Sequence, residues 1–404
     1  CIVEHEGGAF MTSYRGRGRR SPFLLATTIV LLLLVGGAIG ALVTHAISHG
    51  TPSEPSSHGH PSSGSPPNTS AAPPALSVAS VTPANGTTGV AADAPISVTL
   101  SAPLSNVSPW PTLTPMTSGT WRASGSTFTF TPSTDFLPLS EITLTVPGGP
   151  TGVIGKAGGR LTQSVIEQFQ VANGSVARLQ QLLSLLDYSP LTWAPAGAPI
   201  ASTNTEAQIA ALYGPPAGTY AWRDRGWPAR LRAMWQPGVD NVFTRGLIMS
   251  FQADHALTPN GDVGAALWTA LIGALASDTV NTGGYNYALA NKTAPESLTI
   301  YHDGDVVLRS PANTGIADSP TPDGTFPVYT RLRQQVMRGT NPNGQHYADL
   351  VQYIAYFHGN DAVHYMDRAD YGIPQSLGCV ELPLADAARA WSYLAYGTLV
   401  TVIN

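Results

Sequence analysis

The chain has 404 residues, enough for two to four domains of ordinary size. Only 11% of them are charged, beside 41 glycines and 34 prolines, a composition that suits β-rich domains joined by loops and argues against a helical bundle. The net charge of −5 argues against nucleic acid as a partner, and no phosphate-binding loop is present, since "GVIGKAGG" at 152–159 lacks the Walker A spacing.

In chain order, Arg15, Arg17, Arg19 and Arg20 precede an uncharged run from Phe23 to Val43. That run is long enough to cross a bilayer as a helix at about 1.5 Å per residue. It exceeds a signal-peptide core, and no small-x-small cleavage site follows. Residues 1–22 are therefore expected to be a cytoplasmic basic segment and 23–47 an anchor in the cytoplasmic membrane, with the remainder outside the cytoplasm. Cys1 and Cys379 then lie on opposite sides of the membrane, and Cys379 has no disulfide partner. A lone thiol in an exported region is a candidate for reactivity.

Residues 48–75 are rich in Ser, Pro, Gly and His and read as a flexible linker. His45, His49, His58 and His60 lack cysteines or carboxylates at ligand spacing, so no metal site is expected there. Over 76–173, "ISVTLS", "GTWRASGSTFTFTP" and "EITLTVPG" alternate apolar with small polar residues, the pattern of a small antiparallel sandwich. Over 174–280 the pattern turns helical, with Val176, Leu179, Leu182, Leu183 and Leu186 on one face. Over 281–404 strands return: "SLTIYHDGDVVLRSP" predicts a hairpin, "PLADAARAWSYLAY" a short helix and "GTLVTVIN" a last strand. The expected fold is multidomain, a β-sandwich followed by a small α-helical module and a mostly-β C-terminal domain.

Cysteine catalysis needs a thiolate, a base to make it, and donors for the oxyanion. Gly378 lets the backbone beside Cys379 approach a substrate, and the amides of Leu377, Gly378 and Cys379 are expected to converge on a carbonyl oxygen. Ser376 is expected to hold the loop by local hydrogen bonds. Two histidines precede the cysteine. His358, in "YFHGND", falls at a hairpin turn. His364 ends the run "AVH", better placed for a base at the end of a central strand, and His358 stands as the alternative.

Three stretches resemble known families. "VTPANGTTGVAADAPISVTLSAPLS" and "GRLTQSVIEQFQV" resemble the opening and the last strand of bacterial Ig-like domains. "FQADHALTPNGDVGAALWTAL" resembles the peptidoglycan-binding module of paired short helices, with Phe251, Gln252 and Trp268 at its signature positions and Asn260 in place of Asp. Between the helical parts lies a long insertion, Leu191 to Gly238.

"AVHY", "QSLGCVEL" and "NTGIADSPTPDGTFPVY" resemble the L,D-transpeptidase catalytic domain of YkuD type. The resemblance implies that Cys379 is the nucleophile and His364 its base, oriented by a backbone carbonyl for which Tyr365 is the nearest candidate. It implies a cell-wall enzyme that forms 3→3 cross-links between peptidoglycan stem peptides through an acyl-enzyme, without metal or organic cofactor, and open to acylation by carbapenems. The alternatives are an L,D-carboxypeptidase that hydrolyses the same acyl-enzyme and a peptidoglycan-binding protein with an inactive catalytic fold. Two positions depart from the family pattern. Leu377 stands where the second motif histidine is usual, and Tyr365 stands where glycine is usual and is expected to narrow the site.

Overall fold

The computed structural model describes residues 74–404, so the anchor expected over 23–47 lies outside the described residues. Among the described residues no helix is long and apolar enough to cross a membrane.

The first domain is a sandwich of two four-stranded sheets. One orders Val78–Thr82, Ile96–Leu100, Thr127–Pro132 and Gly119–Ser124; the other orders Thr87–Val90, Val165–Val171, Glu141–Val146 and Thr112–Thr114. The period-2 alternation in the sequence sends Ile96, Val98, Phe128, Phe130, Ile142 and Leu144 into the shared core, while the threonines and serines between them face outward.

Helices Val176–Leu185, Val242–Asp254 and Ala265–Ala276 follow. The stretch expected as an insertion folds into a two-stranded hairpin, Leu191–Pro195 with Gly218–Trp222, and two further helices, Thr205–Tyr213 and Ala229–Met234. Asn241 caps the helix Val242–Asp254 by accepting from the Phe243 and Thr244 amides. The core of this region, built on Leu179, Leu183, Phe243, Phe251, Trp268 and Leu271, runs on into Tyr285, Tyr287 and Leu399 of the next domain. No solvent layer separates the two, because apolar side chains of both close one interior. Arg178 is buried here without a carboxylate, its guanidinium held by the side-chain carbonyls of Gln181 and Gln208.

In the C-terminal domain a five-stranded sheet orders Asp305–Pro311, Ser297–His302, Asn286–Asn291, Leu399–Ile403 and Gly324–Pro327. A four-stranded sheet orders Thr330–Thr340, His346–His358, Asp361–Tyr365 and Val380–Leu382. The expected hairpin around "HDGD" forms with Asp303 and Gly304 as its two-residue turn, both at positive φ, as a turn matched to strand twist requires. Ala290, Ile300, Phe357, Val363, Val380 and Val402 fill the space between the sheets, and the helix Leu384–Tyr393 adds Ala387 and Ala390.

Candidate active site

Strand Asp361–Tyr365 pairs in parallel with Val380–Leu382, matching Val363 with Val380 and His364 with Glu381. A parallel pair needs a crossover, so residues 366–379 leave the end of one strand and return to the start of the other. That crossover delivers Cys379 to the sheet beside the strand that carries His364. Both side chains are buried, and both line one cavity of about 480 Å³. Leu377, Met337 and Ile316 form apolar wall there, and Arg368, Glu381 and Asp349 bring charge.

The cysteine loop is held by hydrogen bonds on both sides. The Ser376 hydroxyl donates to the Cys379 carbonyl at 2.6 Å and accepts from the Gly378 amide at 3.2 Å, so it fixes the turn as expected. That second bond corrects the expected oxyanion donors: the Gly378 amide is engaged inside the loop, which leaves Leu377 and Cys379 from the proposed set. The Thr314 carbonyl accepts from the Gln375 and Ser376 amides at 2.9 Å each, and the Ile316 amide donates to the Ser376 carbonyl at 3.0 Å. Thr314 is pinned by the buried Glu296 carboxylate, which accepts from its amide at 2.6 Å and its hydroxyl at 2.8 Å. The fully buried Asn313 accepts from the Gly372 amide at 3.0 Å and donates to the Asp370 carbonyl at 3.1 Å. The "NTG" segment is therefore the cradle of the nucleophile loop. Its signal in the sequence is a polar run inside strand-rich sequence.

The ring of His364 is oriented by the Tyr365 carbonyl, 2.9 Å from Nδ1. A carbonyl only accepts, so Nδ1 carries the proton and Nε2 has a free lone pair. The Tyr365 carbonyl thus fixes the orientation of the ring. The Tyr365 side chain does not narrow the site: it alternates to the other face and packs against the core between the sheets. His358 lies elsewhere. Its Nδ1 is 3.2 Å from Asp361 and its ring is 4.5 Å from that of Phe326, in a separate cavity of about 1040 Å³ shared with Arg245 and Asn260. The turn His358–Asp361 divides the two cavities: Asn360 turns its carbonyl toward the Cys379 sulfur at 3.8 Å, while His358 and Gly359 face away from it.

Burial pushes the Cys379 thiol up to about 12, with the nearby Asp361 and Glu381 carboxylates adding to the shift. Burial also pulls the His364 imidazole below its ordinary value, against its bond to Tyr365 and the nearby Glu381 charge. The resting pair is a neutral thiol beside a neutral imidazole. The folded imidazole holds its proton less tightly than the unfolded one, so its contribution to stability is complete above 6.5 and is lost as pH falls from there. Two outcomes follow below that pH: the unfolding midpoint drops, by less in His364→Gln, and the acid limb of the acylation rate appears only there. A limb at or above 6.5 would contradict a depressed imidazole.

Two charged residues that sequence reasoning passed over meet in the cavity. Arg368 donates to Glu381 through Nε at 2.7 Å and a terminal nitrogen at 2.6 Å, a bidentate pair with the carboxylate buried. The sequence signal was a glutamate inside the apolar run "CVELP", which a buried strand tolerates only with a partner.

Residues 285–402 match the YkuD family, the L,D-transpeptidase catalytic domain. The C-terminal domain is similar to the L,D-transpeptidase catalytic domain. Residues 72–170 match the bacterial Ig-like domain family. No curated protein matches the chain. Among solved structures, an L,D-transpeptidase from Mycobacterium smegmatis is 15% identical over 82% of this chain and 100% of its own, with a TM-score of 0.28. L,D-transpeptidase 3 from Mycobacterium tuberculosis is 15% identical over 81% and 98%, with a TM-score of 0.28. The catalytic domain of the E. faecium L,D-transpeptidase is 26% identical over 29% of this chain and 96% of its own, with a TM-score of 0.27. The assignment of the transpeptidase domain rests on the match over 285–402.

The three signature residues of the peptidoglycan-binding-like segment are buried. Phe251 and Trp268 are buried in its core, where removing apolar surface from water holds the helices together. Gln252 is also buried, and its carboxamide ties the turn by accepting from the Gly261 amide at 2.8 Å and donating to the Asp262 carbonyl at 2.9 Å.

Proposed function

We propose that the transpeptidase domain cross-links peptidoglycan stems through an acyl-enzyme on Cys379. The observation that carries this reading is the shared cavity of Cys379 and His364, with the His364 Nδ1 proton fixed on the Tyr365 carbonyl. Nε2 takes the thiol proton as sulfur attacks the peptide carbonyl after the third residue of a tetrapeptide stem. Amides of the cysteine loop receive the developing oxyanion. The proton then passes from Nε2 to the leaving nitrogen, and the terminal D-alanine departs. The side-chain amine of a second stem attacks the thioester and gives the 3→3 link.

In this reading residues 23–47 anchor the protein in the cytoplasmic membrane. The linker and the Ig-like domain space the active site toward the wall, and the helical region adds a second contact with the polymer, through surfaces other than Phe251, Gln252 and Trp268. Such a tether raises effective concentration without new contacts at the site.

The test is incubation of the protein with disaccharide-tetrapeptide, read by mass spectrometry. The wild type is expected to release D-alanine and form cross-linked dimer, and Cys379→Ala to do neither. Free tripeptide without dimer would make the enzyme a carboxypeptidase. A carbapenem adduct on Cys379 would report the same nucleophile, and a thiol inert to both carbapenem and stem would reject catalysis.

A further inference from the structure

The cavity that holds Cys379 and His364 has three charged side chains, Arg368, Glu381 and Asp349. The first two neutralise each other in their bidentate pair. The Asp349 side chain makes no hydrogen bond or ion pair among the described residues, and the positive charge that reaches it is that of Arg368, already committed to Glu381. It sits on the strand His346–His358 opposite Met337, which also lines the cavity, and it shares the inward face with Tyr347 and Val351. The Tyr347 phenol is raised by burial and by the charges of Cys379, Asp349 and Tyr356, so it stands within electrostatic reach of both the nucleophile and Asp349. The cavity thus carries two negative charges against one positive, and Asp349 is the carboxylate left without a bonded partner in the cavity it shares with the nucleophile.

That charge does not serve the first half of the reaction, since a nearby carboxylate opposes formation of a thiolate. The second half brings in a group of the opposite sign. An alkyl amine is an ammonium near neutral pH, and a half-buried carboxylate with no partner of its own is satisfied by it. Water, the competing nucleophile, carries no charge and gains nothing from Asp349.

We propose that Asp349 selects a cationic amine as the acceptor and so favours aminolysis of the thioester over its hydrolysis. The inference rests on the acyl-enzyme reading of the site given above. The ammonium docks against the Asp349 carboxylate and releases one proton to solvent. The nitrogen then attacks the thioester carbonyl, forming the C–N bond. Its second proton passes to His364 Nε2 and from there to sulfur as the C–S bond breaks, leaving an amide and the Cys379 thiol.

The experiment uses the full protein with disaccharide-tetrapeptide as both donor and acceptor, and reads the ratio of cross-linked dimer to free tripeptide. This ratio is set after the acyl-enzyme forms and is independent of how fast it forms. Asp349→Asn is expected to lower the ratio roughly tenfold, the worth of one charge-assisted contact, and Asp349→Glu to restore most of it. In the wild type, added salt is expected to raise the acceptor KM several-fold and leave hydrolysis unchanged, which tests the same charge without a variant. A ratio and an acceptor KM indifferent to both changes overturn the role of Asp349 while the acyl-enzyme stands. Wild type that acylates yet gives tripeptide alone also overturns it. Wild type that forms no acyl-enzyme on Cys379 overturns the reading of the whole site.

Discussion

Replacing His364 by alanine is expected to lower the rate of Cys379 acylation by about a hundred- to ten-thousandfold, the range for loss of a positioned general base. The size follows from the thiol. With burial pushing its pKa up to about 12, the thiol is protonated at pH 7, so a base that takes the proton during attack is essential. Among the described residues His364 is the only histidine lining the cavity with Cys379, and its free Nε2 is set by the Nδ1 bond to Tyr365. His358→Ala is expected to change the same rate by no more than several-fold, because that ring faces the other cavity and pairs with Asp361. Intact-mass measurement of acyl-enzyme against time, with a carbapenem or a tetrapeptide stem, decides between them. A large loss in His358→Ala with acylation retained in His364→Ala would reverse the assignment.

Gly378→Ala is expected to be nearly as damaging by a different route. Gly378 has φ of +117°, where a side chain is strained at a cost of about 1–3 kcal/mol. The added methyl would also collide with the Asp361 carboxylate, which is held in place by His358 Nδ1. Backbone relaxation is the only full relief, and it breaks the bond from the Gly378 amide to Ser376 and shifts the adjacent sulfur. A displacement of about 1 Å at a reacting atom costs on the order of a hundredfold in rate. Acylation kinetics and denaturant unfolding measured together test this. The loss of rate should exceed what any loss of folded protein explains, and a variant with wild-type stability and wild-type acylation would refute it.

These two effects differ in how far they were visible in the sequence. A glycine directly before a lone cysteine was a local signal. The choice of histidine was not local. His358 and His364 are six residues apart at the two ends of one short turn-and-strand segment, and only the pairing of that strand with Val380–Leu382 brings one to the cysteine and turns the other away. The same applies to Tyr365. By residue type it looked like an obstruction, but strand alternation directs its ring to the core between the sheets and leaves only its carbonyl near the site.

The helical region shows the opposite limit of motif reading. Phe251, Gln252 and Trp268 mark the motif because the fold requires them, and for that reason they are buried. A signature made of core residues reports a fold and places no ligand. The Arg368–Glu381 pair and the Asn313–Thr314 cradle were illegible for a related reason. Each partner comes from a separate segment, with Arg368 and Glu381 13 positions apart and Asn313 and Gly372 59 positions apart. No short-range pattern encodes such a contact.

By itself the sequence determined the alternation of the strands, the Asp303–Gly304 turn, the order of β-rich, helical and β-rich regions, and a lone cysteine set behind a glycine. Each depends on neighbours a few residues apart, where backbone geometry has period 2 or 3.6. The tertiary structure decided which histidine shares the cavity with Cys379, that the Gly378 amide is engaged by Ser376, and that Asp349 is the cavity carboxylate without a bonded partner. Those outcomes depend on strand register and on a parallel crossover, which exist only once distant segments have paired.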